Sequence, residues 1–358
     1  MLHAILSGDL PRSKALAAAL IVVFVSLLLA PFLFPTVNAL NVAGKVCIFI
    51  LLAASYDLLL GYTGIVSFAH TMFFGIGAYG VAIAMGRVAP DWGGVFLGGG
   101  IAVALSVVLA ALIGLFSLRV RAIFFAMITL AVASAFAILA SQLSTLTGGE
   151  DGLNYRVPEM LRPAFRLFDG EVFGIAINGR VMAYYLTFVV SLLLFLFLLR
   201  VVNSPFGRVL QAIRENEFRA EAIGYRTVHY RTLANCLAAA VATVAGMLLA
   251  LVLRYTNPDT TLSFTIMMDI LLMVVIGGMG TLYGSVIGAT LFLLAQLYLK
   301  DVMGAASAAT AGLPVIPNLL HPDRWLLWFG LLFIASVYFF PTGIVGRLRT
   351  LAQRRRFF

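Results

Sequence analysis

Charged side chains are scarce in this chain, since Asp, Glu, Lys and Arg together make up 11% of its 358 residues. A typical soluble domain contains about 25% charged and about 45 to 50% apolar residues, whereas this chain is 62% hydrophobic. The composition excludes an ordinary soluble protein and indicates an integral membrane protein. Apolar runs of about 20 residues recur, and the alternating ten-residue pattern of a membrane β-barrel is absent. We therefore expect an all-α, polytopic membrane fold.

Lysine is rare as well, and the chain contains only Lys14, Lys45 and Lys300. A chain that hydrolyses ATP through a P-loop needs the pattern G-x-x-x-x-G-K-[ST], in which the lysine reaches the terminal phosphates. None of the three lysines lies in that pattern, so we expect neither ATPase activity nor catalytic residues here. Basic residues on cytoplasmic loops explain the net charge of +9 without a nucleic-acid partner.

Histidine and cysteine are too few and too scattered to predict a metal site. His70 is the only histidine within an apolar run, and we interpret it as a hydrogen-bonded packing residue more readily than as a base. Cys47 and Cys236 both lie inside apolar runs, so they indicate packing rather than a disulfide or a thiolate metal site. We therefore expect no metal and no cofactor bound by this chain.

The apolar runs predict about ten transmembrane helices, some of them short or broken. The first run follows two basic residues, as a signal peptide would, but its core of about 20 residues exceeds the length of a signal sequence, so we expect an uncleaved span. The run from 265 to 299 fits two spans or one long broken helix. The predicted spans are Ala15–Phe34, Asn41–Leu60, Val66–Met85, Gly94–Leu118, Ala122–Gln142, Val181–Leu199, Thr232–Leu253, Thr265–Gly280, Leu282–Leu299 and Trp325–Phe340.

The distribution of basic residues predicts that both termini are cytoplasmic. With the N-terminus inside, fifteen of the 24 Lys and Arg residues fall on the cytoplasmic side, as positive residues prefer. The predicted organisation is a cytoplasmic N-terminus (1–14), a single transmembrane domain (15–340) and a basic cytoplasmic tail (341–358). An external loop at 143–180 and a cytoplasmic segment at 200–231 interrupt the transmembrane domain.

The cytoplasmic segment reads RVVNSPFGRVLQAIRENEFRAEAIGYRTVHYR. It has a partial apolar stripe among mixed charges, and Gly224 supplies a stop signal, so the pattern predicts a short surface helix or a helix pair. Two roles fit this pattern. The segment is either an amphipathic element on anionic lipid or a docking element for a cytoplasmic protein.

Glycine, in contrast, is abundant, and it is concentrated in two clusters. The first is the run GYTGIVSFAHTMFFGIGAYG at 61–80. Glycine permits a helix break or a close approach between helices, so we predict a tight reversal at 61–64 and a helix at 67–79 that returns through the interior. The predicted pathway residues in this run are Gly61, Tyr62, Thr63, Gly64, Ser67, His70, Thr71, Gly75 and Gly77.

The second cluster contains the pattern G-x-x-x-G-x-x-x-G at 280, 284 and 288. On a helix these positions form a smooth groove along one face, which serves either tight packing within the subunit or the transport pathway. Glycine-interrupted segments in both halves of a transporter point to its central site. The additional pathway candidates are Gly278, Gly280, Gly284 and Gly288.

Two carboxylates, Asp57 and Asp269, fall inside predicted spans. Ionisable residues in a membrane are costly and are therefore functional candidates. Each lies near a span end, so an interfacial carboxylate satisfied by water and a pathway residue fit equally well. In the second case the chain would suit an ion-coupled secondary transporter of small solutes, with one of these aspartates as the coupling group.

Four motifs occur in the order found in one known family. They are the run at 61–80, the external TGGEDGL, the cytoplasmic GRVLQAIRENEFRAEAIGY and the later LLMVVIGGMGTLYGSVIGA. Together they resemble the permease subunits of branched-chain amino acid ABC importers of the LivM type, over about residues 40 to 345. The resemblance implies a multi-pass protein of the bacterial inner membrane that forms a translocation pathway by alternating access. Related permeases import urea or short amides, so the resemblance leaves the identity of the substrate open.

The resemblance also implies partners for this chain. They are a second homologous permease of the LivH type, two cytoplasmic ATP-binding subunits that use ATP, an external solute-binding protein, and membrane lipid. In the family the cytoplasmic segment is the element that couples the permease to the ATPase. The matching residues here are Gly207, Arg208, Ala212, Arg214, Glu215, Asn216, Ala220 and Gly224.

Overall fold

A computed structural model describes residues 13–33, 36–117, 122–172, 175–309, 316–340 and 342–354. These residues are predominantly helical, which confirms the all-α fold class. Residues 1–12 of the predicted N-terminus and residues 355–358 of the predicted tail lie outside the described part of the chain.

The elements follow one another as long helices interrupted by one strand-containing insertion. The first half contains α1 (Lys14–Leu28), α2 (Ala30–Leu33), α3 (Val37–Leu60), α4 (His70–Arg87), α5 (Trp92–Ser117), α6 (Ala122–Gln142) and α7 (Ser144–Thr147). The insertion contains β1 (Leu153–Asn154), a 3-10 turn (Glu159–Leu161), β2 (Arg166–Val172) and β3 (Ile175–Asn178). The second half contains α8 (Gly179–Val202), α9 (Pro205–Glu215), α10 (Glu217–Ala222), α11 (Thr227–Leu253), β4 (Tyr255–Thr256), α12 (Pro258–Thr261), α13 (Phe264–Gly277), α14 (Leu282–Ala309), α15 (Ile316–Leu319), a 3-10 turn (Pro322–Arg324), α16 (Trp325–Phe339) and α17 (Gly343–Arg354).

Seven helical segments of the described chain are long and apolar enough to cross a membrane, which confirms a multi-pass membrane protein but not the count of ten spans. Helices α1 and α16 have 15 residues each, about 22 Å, and are shorter than a hydrocarbon core of about 30 Å. Helix α4 has 18 residues and is buried along most of its length, so neighbouring helices rather than lipid surround it. The seven are Val37–Leu60, Trp92–Phe116, Ile123–Gln142, Gly179–Val202, Thr227–Leu253, Pro258–Gly277 and Leu282–Ala309.

The predicted first span is broken at Leu29 rather than continuous to Phe34, which lies outside the described residues. Pro31 explains the break, because proline has no amide to donate to the carbonyl four residues earlier and its ring collides with that carbonyl. The carbonyl concerned belongs to Leu27, and the hydroxyl of Tyr184 on α8 donates to it instead. The break therefore leaves the Leu27 carbonyl with a hydrogen-bond donor.

Helix α4 occupies the centre of the bundle and packs most extensively on α11 and α5. A Cβ added at Gly77 would overlap the Thr243 carbonyl of α11, and one at Gly246 would overlap the Phe74 carbonyl of α4. The two helices therefore approach closely enough to exclude any side chain at these positions. Part of the first glycine cluster therefore serves close packing between two helices.

The contacts distinguish two ends of the bundle. At the end that we call the strand end, β1 of the insertion pairs with β4, with Leu153 opposite Thr256. At the other end, the helical end, α9, α10 and α17 lie against the ends of the long helices, and Leu16, Ile287 and Val345 form one apolar cluster. The two hydrophilic insertions are thus at opposite ends, and the arginine count predicts that the helical end is cytoplasmic.

The helix predicted from Ser67 begins three residues later, at His70. Gly64 has φ +73, and residues 64–69 form an irregular segment, so the turn is longer than the sequence pattern indicated. The amide of Phe68 in this segment donates to Thr129 Oγ1 of α6 at 3.0 Å, so it is satisfied outside a helix.

Candidate functional site

The first glycine turn ends α3 at the helical end, where the sequence predicts a reversal. Tyr62 and Thr63 are buried, and the Thr63 hydroxyl donates to the Leu59 carbonyl at 2.6 Å. Gly64 lies in the left-handed region, with φ +73, which a residue with a Cβ adopts only at a cost. The backbone therefore turns here without exposing polar groups to an apolar surrounding.

The second glycine turn joins α13 to α14 at the same end. Gly278 and Gly280 have φ +117 and +79, and the Thr281 hydroxyl donates to the Gly278 carbonyl at 2.7 Å. The predicted helical groove through 280, 284 and 288 is therefore wrong for Gly280, which lies in the turn before α14 begins. Gly284 and Gly288 are on α14, and they allow its backbone to approach α13 closely.

The two glycine turns meet at a contact formed by Asp57, Gly61, Arg214 and Gly280, which we call the junction. The amide of Gly280 donates to Asp57 Oδ1 at 2.8 Å across a sequence separation of 223 residues. A Cβ added at Gly61 would overlap both Asp57 Oδ1 and the Gly280 amide nitrogen. The junction therefore requires glycine at position 61.

Arg214 of α9 completes the junction from the cytoplasmic segment. Its Nη1 donates to the Gly61 carbonyl, its aliphatic stem lies beside Gly64, and its charge acts on the Asp57 carboxylate. Asp57 is 0% exposed, and a buried charge is tolerated when it has hydrogen bonds and an opposite charge nearby. Within the described residues, Asp57 Oδ2 has no hydrogen-bond partner.

The segment that carries Arg214 is a helix pair with well-defined ends. The Ser204 hydroxyl caps α9, and Asn216 Oδ1 accepts from the Arg219 amide at 2.9 Å to cap α10. Glu217 forms an ion pair with Arg231 of α11. The caps stabilise the beginning of each helix, and the ion pair joins α10 to α11.

The residues matched to the coupling element occupy both faces of this pair. Gly207 and Ala220 are buried against the bundle, and Ala212 is partly buried. The remaining five residues are exposed, and among them Arg214 also reaches the junction. The other four are Arg208, Glu215, Asn216 and Gly224.

Three apolar side chains of the segment, Phe218, Ile223 and Tyr225, are exposed. Phe218 is 82% exposed and Ile223 is 68% exposed, and both lie outside the long apolar helices. Ile223 is the residue that follows the last turn of α10. We call these three residues the apolar patch.

The polar residues predicted at the start of α4 are enclosed by protein. Ser55 Oγ donates to the Leu52 carbonyl at 2.7 Å and lies 2.8 Å from His70 Nε2. Since the hydroxyl proton is used on Leu52, Nε2 of His70 carries the donated proton. His70 is 0% exposed and Ser67 and Thr71 are buried, so a pathway role for them remains a prediction.

Asp269 lies on α13, away from the junction. Its carboxylate is half-buried and hydrogen-bonded to the Gln296 side chain of α14. The structure therefore does not unite the two aspartates into one site. Within the described residues, no group of three or more His, Cys, Asp or Glu residues could hold a metal ion.

Comparison with known proteins identifies the chain's relatives. The sequence pattern of the family described as "Branched-chain amino acid transport system / permease component" matches residues 38–337. LivM, the high-affinity branched-chain amino acid transport system permease protein of Salmonella typhimurium, is 25% identical over 334 residues, covering 90% of this chain and 76% of that protein. The probable LivM permease of Methanocaldococcus jannaschii is 26% identical and covers 83% of this chain and 90% of its own length.

A second type of permease is also similar. LivH, another high-affinity branched-chain amino acid transport system permease protein, from Escherichia coli K12, is 25% identical over 304 residues, covering 83% of this chain and 91% of that protein. No solved structure matches the chain. Because the family pattern spans most of the sequence, the chain belongs to the family of permease components of branched-chain amino acid transport systems.

Proposed function

We propose that this chain is a transmembrane subunit of an ATP-driven ABC importer for branched-chain or related amino acids. The observation that carries the proposal is the junction, where Arg214 of the cytoplasmic segment holds the first glycine turn and Asp57 joins that turn to the second. The family relationship supplies the transport role. A second permease of the LivH type would complete the pathway, since both types are similar to this chain.

In this proposal two cytoplasmic ATP-binding subunits supply the energy, and the apolar patch binds one of them. An exposed aromatic and a β-branched side chain among mixed charges suit a protein groove better than a lipid surface. When the ATP-binding subunits close, α9 and α10 move together. Arg214 and Asp57 pass this movement to the turns that end α3 and α13, which changes access to the pathway.

An external solute-binding protein would deliver the substrate at the strand end. Selectivity then lies mainly in that protein, and the membrane path only has to be permissive. Affinity measurements on the cognate binding protein with branched-chain amino acids, urea and short amides would identify the substrate. Uptake driven by an ion gradient without ATP would instead favour a secondary transporter that uses Asp57 or Asp269.

The docking role is tested by Phe218→Ser in the complete complex reconstituted in proteoliposomes. Phe218 is 82% exposed, so the variant should fold normally, while loss of an anchor at an interface costs about tenfold or more in affinity. We expect ATP-dependent uptake and co-purification of the ATP-binding subunits to fall together. The control is Gln211→Ala, an exposed polar position on α9. Normal co-purification and uptake in the Phe218 variant would refute the docking role.

A further inference from the structure

Arg254 has an unusual backbone conformation at the strand end. It follows the last residue of α11 and has φ +59, and no other non-glycine residue in the described ranges has a positive φ. Its amide donates to the Ala250 carbonyl at 2.9 Å, and its own carbonyl accepts from Tyr155. A left-handed conformation is unfavourable for a residue with a Cβ, and glycine is the usual residue after a helix end. An arginine at this position is therefore unexpected from the backbone alone.

The side chain of Arg254 is partly buried, and one of its donor groups lacks a partner. Its Nε is buried with no hydrogen-bond acceptor, and no ion pair joins it to any carboxylate in the described part of the chain. Burial and the nearby positive charge of Arg180 lower the pKa of Arg254. A donor that is buried without an acceptor costs free energy, and a ligand at this position would supply the missing acceptor.

Arg180 belongs to the same place in the fold. It is the second residue of α8. The beginning of α8 and the end of α11 pack in one apolar cluster, which contains Met182 of α8 and Leu251 of α11. Tyr155 of the insertion closes the cluster and hydrogen-bonds to Ala250 and Thr256, at 2.9 Å in each case. Two guanidinium groups are thus held by rigid elements on the side of the protein opposite the junction.

We propose that Arg254 and Arg180 form a binding site for a carboxylate at the strand end. A guanidinium presents paired donors that match the two oxygens of a carboxylate. The assignment rests on the proposed function, because an amino-acid importer meets carboxylates at this end, on the free amino acid and on acidic side chains of the delivering protein. Both sources present the same chemistry to the two arginines.

The decisive variants are Arg254→Gln and Arg180→Gln, compared with Arg156→Gln, an exposed arginine of the same insertion. In the reconstituted complex we expect the first two to lower uptake at limiting binding protein by about tenfold, as for a lost charge-assisted contact, and the control to leave it unchanged. A raised dissociation constant for unloaded binding protein would place the carboxylate on that protein. Normal docking with weaker binding of free amino acid would place it on the substrate. Either result supports the site.

Arg254→Gly separates binding from folding. Glycine relieves the strained φ, so we expect the variant to unfold at the same or a higher temperature while it loses uptake like Arg254→Gln. A lowered unfolding temperature in Arg254→Gly, with normal uptake and docking in Arg254→Gln, would show that the residue only ends the helix and would overturn the proposal. Failure of the proposed function is distinct, because the unaltered complex would then show no ATP-dependent uptake.

Discussion

The two ends of the bundle differ in how the chain holds their charged side chains. At the helical end, the Asp57 carboxylate and the Arg214 guanidinium are joined to backbone groups of two turns that are far apart in sequence. At the strand end, Arg254 is held in a strained conformation with a buried Nε that has no partner among the described residues. The first arrangement joins two turns of the same chain and suits transmission of movement, although Asp57 Oδ2 has no hydrogen-bond partner among the described residues. The second is incomplete and suits a ligand from outside.

Gly61→Ala should break the first arrangement and gives the largest expected effect. Gly61 has φ −83, which alanine adopts freely, so the effect arises only from the overlap of its Cβ with Asp57 and the Gly280 amide. Overpacking costs about 1 to 3 kcal/mol, and loss of the Asp57 hydrogen bond adds about 1 to 3 kcal/mol. Thermal unfolding of the purified complex should occur at a clearly lower temperature.

Gly86→Ala is the matched control for this prediction. A Cβ at Gly86 would meet nothing within 4 Å, and alanine stabilises a helix by up to about 1 kcal/mol relative to glycine. We expect its unfolding temperature to be unchanged or slightly raised. Equal unfolding temperatures for the two variants would show that the close contact at Gly61 is not needed.

Asp57→Ala and Asp57→Asn sharpen the comparison, with a smaller expected effect. Alanine leaves the buried Gly280 amide without an acceptor, which costs about 1 to 3 kcal/mol, whereas the asparagine oxygen can still accept from it. Thermal unfolding should therefore rank the unaltered chain as most stable and the alanine variant as least stable. If both variants matched the unaltered chain, Asp57 would not hold the second turn.

The sequence predicted most of the elements that carry the junction, but not that their residues contact one another. The glycine patterns predicted both turns, and the mixed-charge stripe predicted the helix pair that carries Arg214. Apolar periodicity reports only which neighbours along the chain share a face. The hydrogen bond between Asp57 and Gly280 spans 223 residues and therefore leaves no signal in that periodicity.

The same limit explains the residues that sequence reasoning missed. Gly280 continues a regular glycine pattern that predicts a helix, but its positive φ puts it in the turn. Phe218 is apolar yet exposed, and a helix of six residues such as α10 has too few positions for its apolar pattern to predict that exposure. Arg254 follows an apolar run without a glycine, so its left-handed conformation had no signature in the residue types around it.

The most direct test of the account is the uptake obtained per ATP hydrolysed in the reconstituted complex with Arg214→Gln. The control is Arg200→Gln, an exposed arginine at the end of α8 that is outside the junction. Because the apolar patch is intact in both, the ATP-binding subunits should remain bound. The account predicts that Arg214→Gln hydrolyses ATP with uptake reduced about tenfold, as expected when a charge-assisted contact is lost, while Arg200→Gln stays normal. Equal uptake per ATP in the two variants would contradict the claim that the junction transmits movement from the cytoplasmic segment.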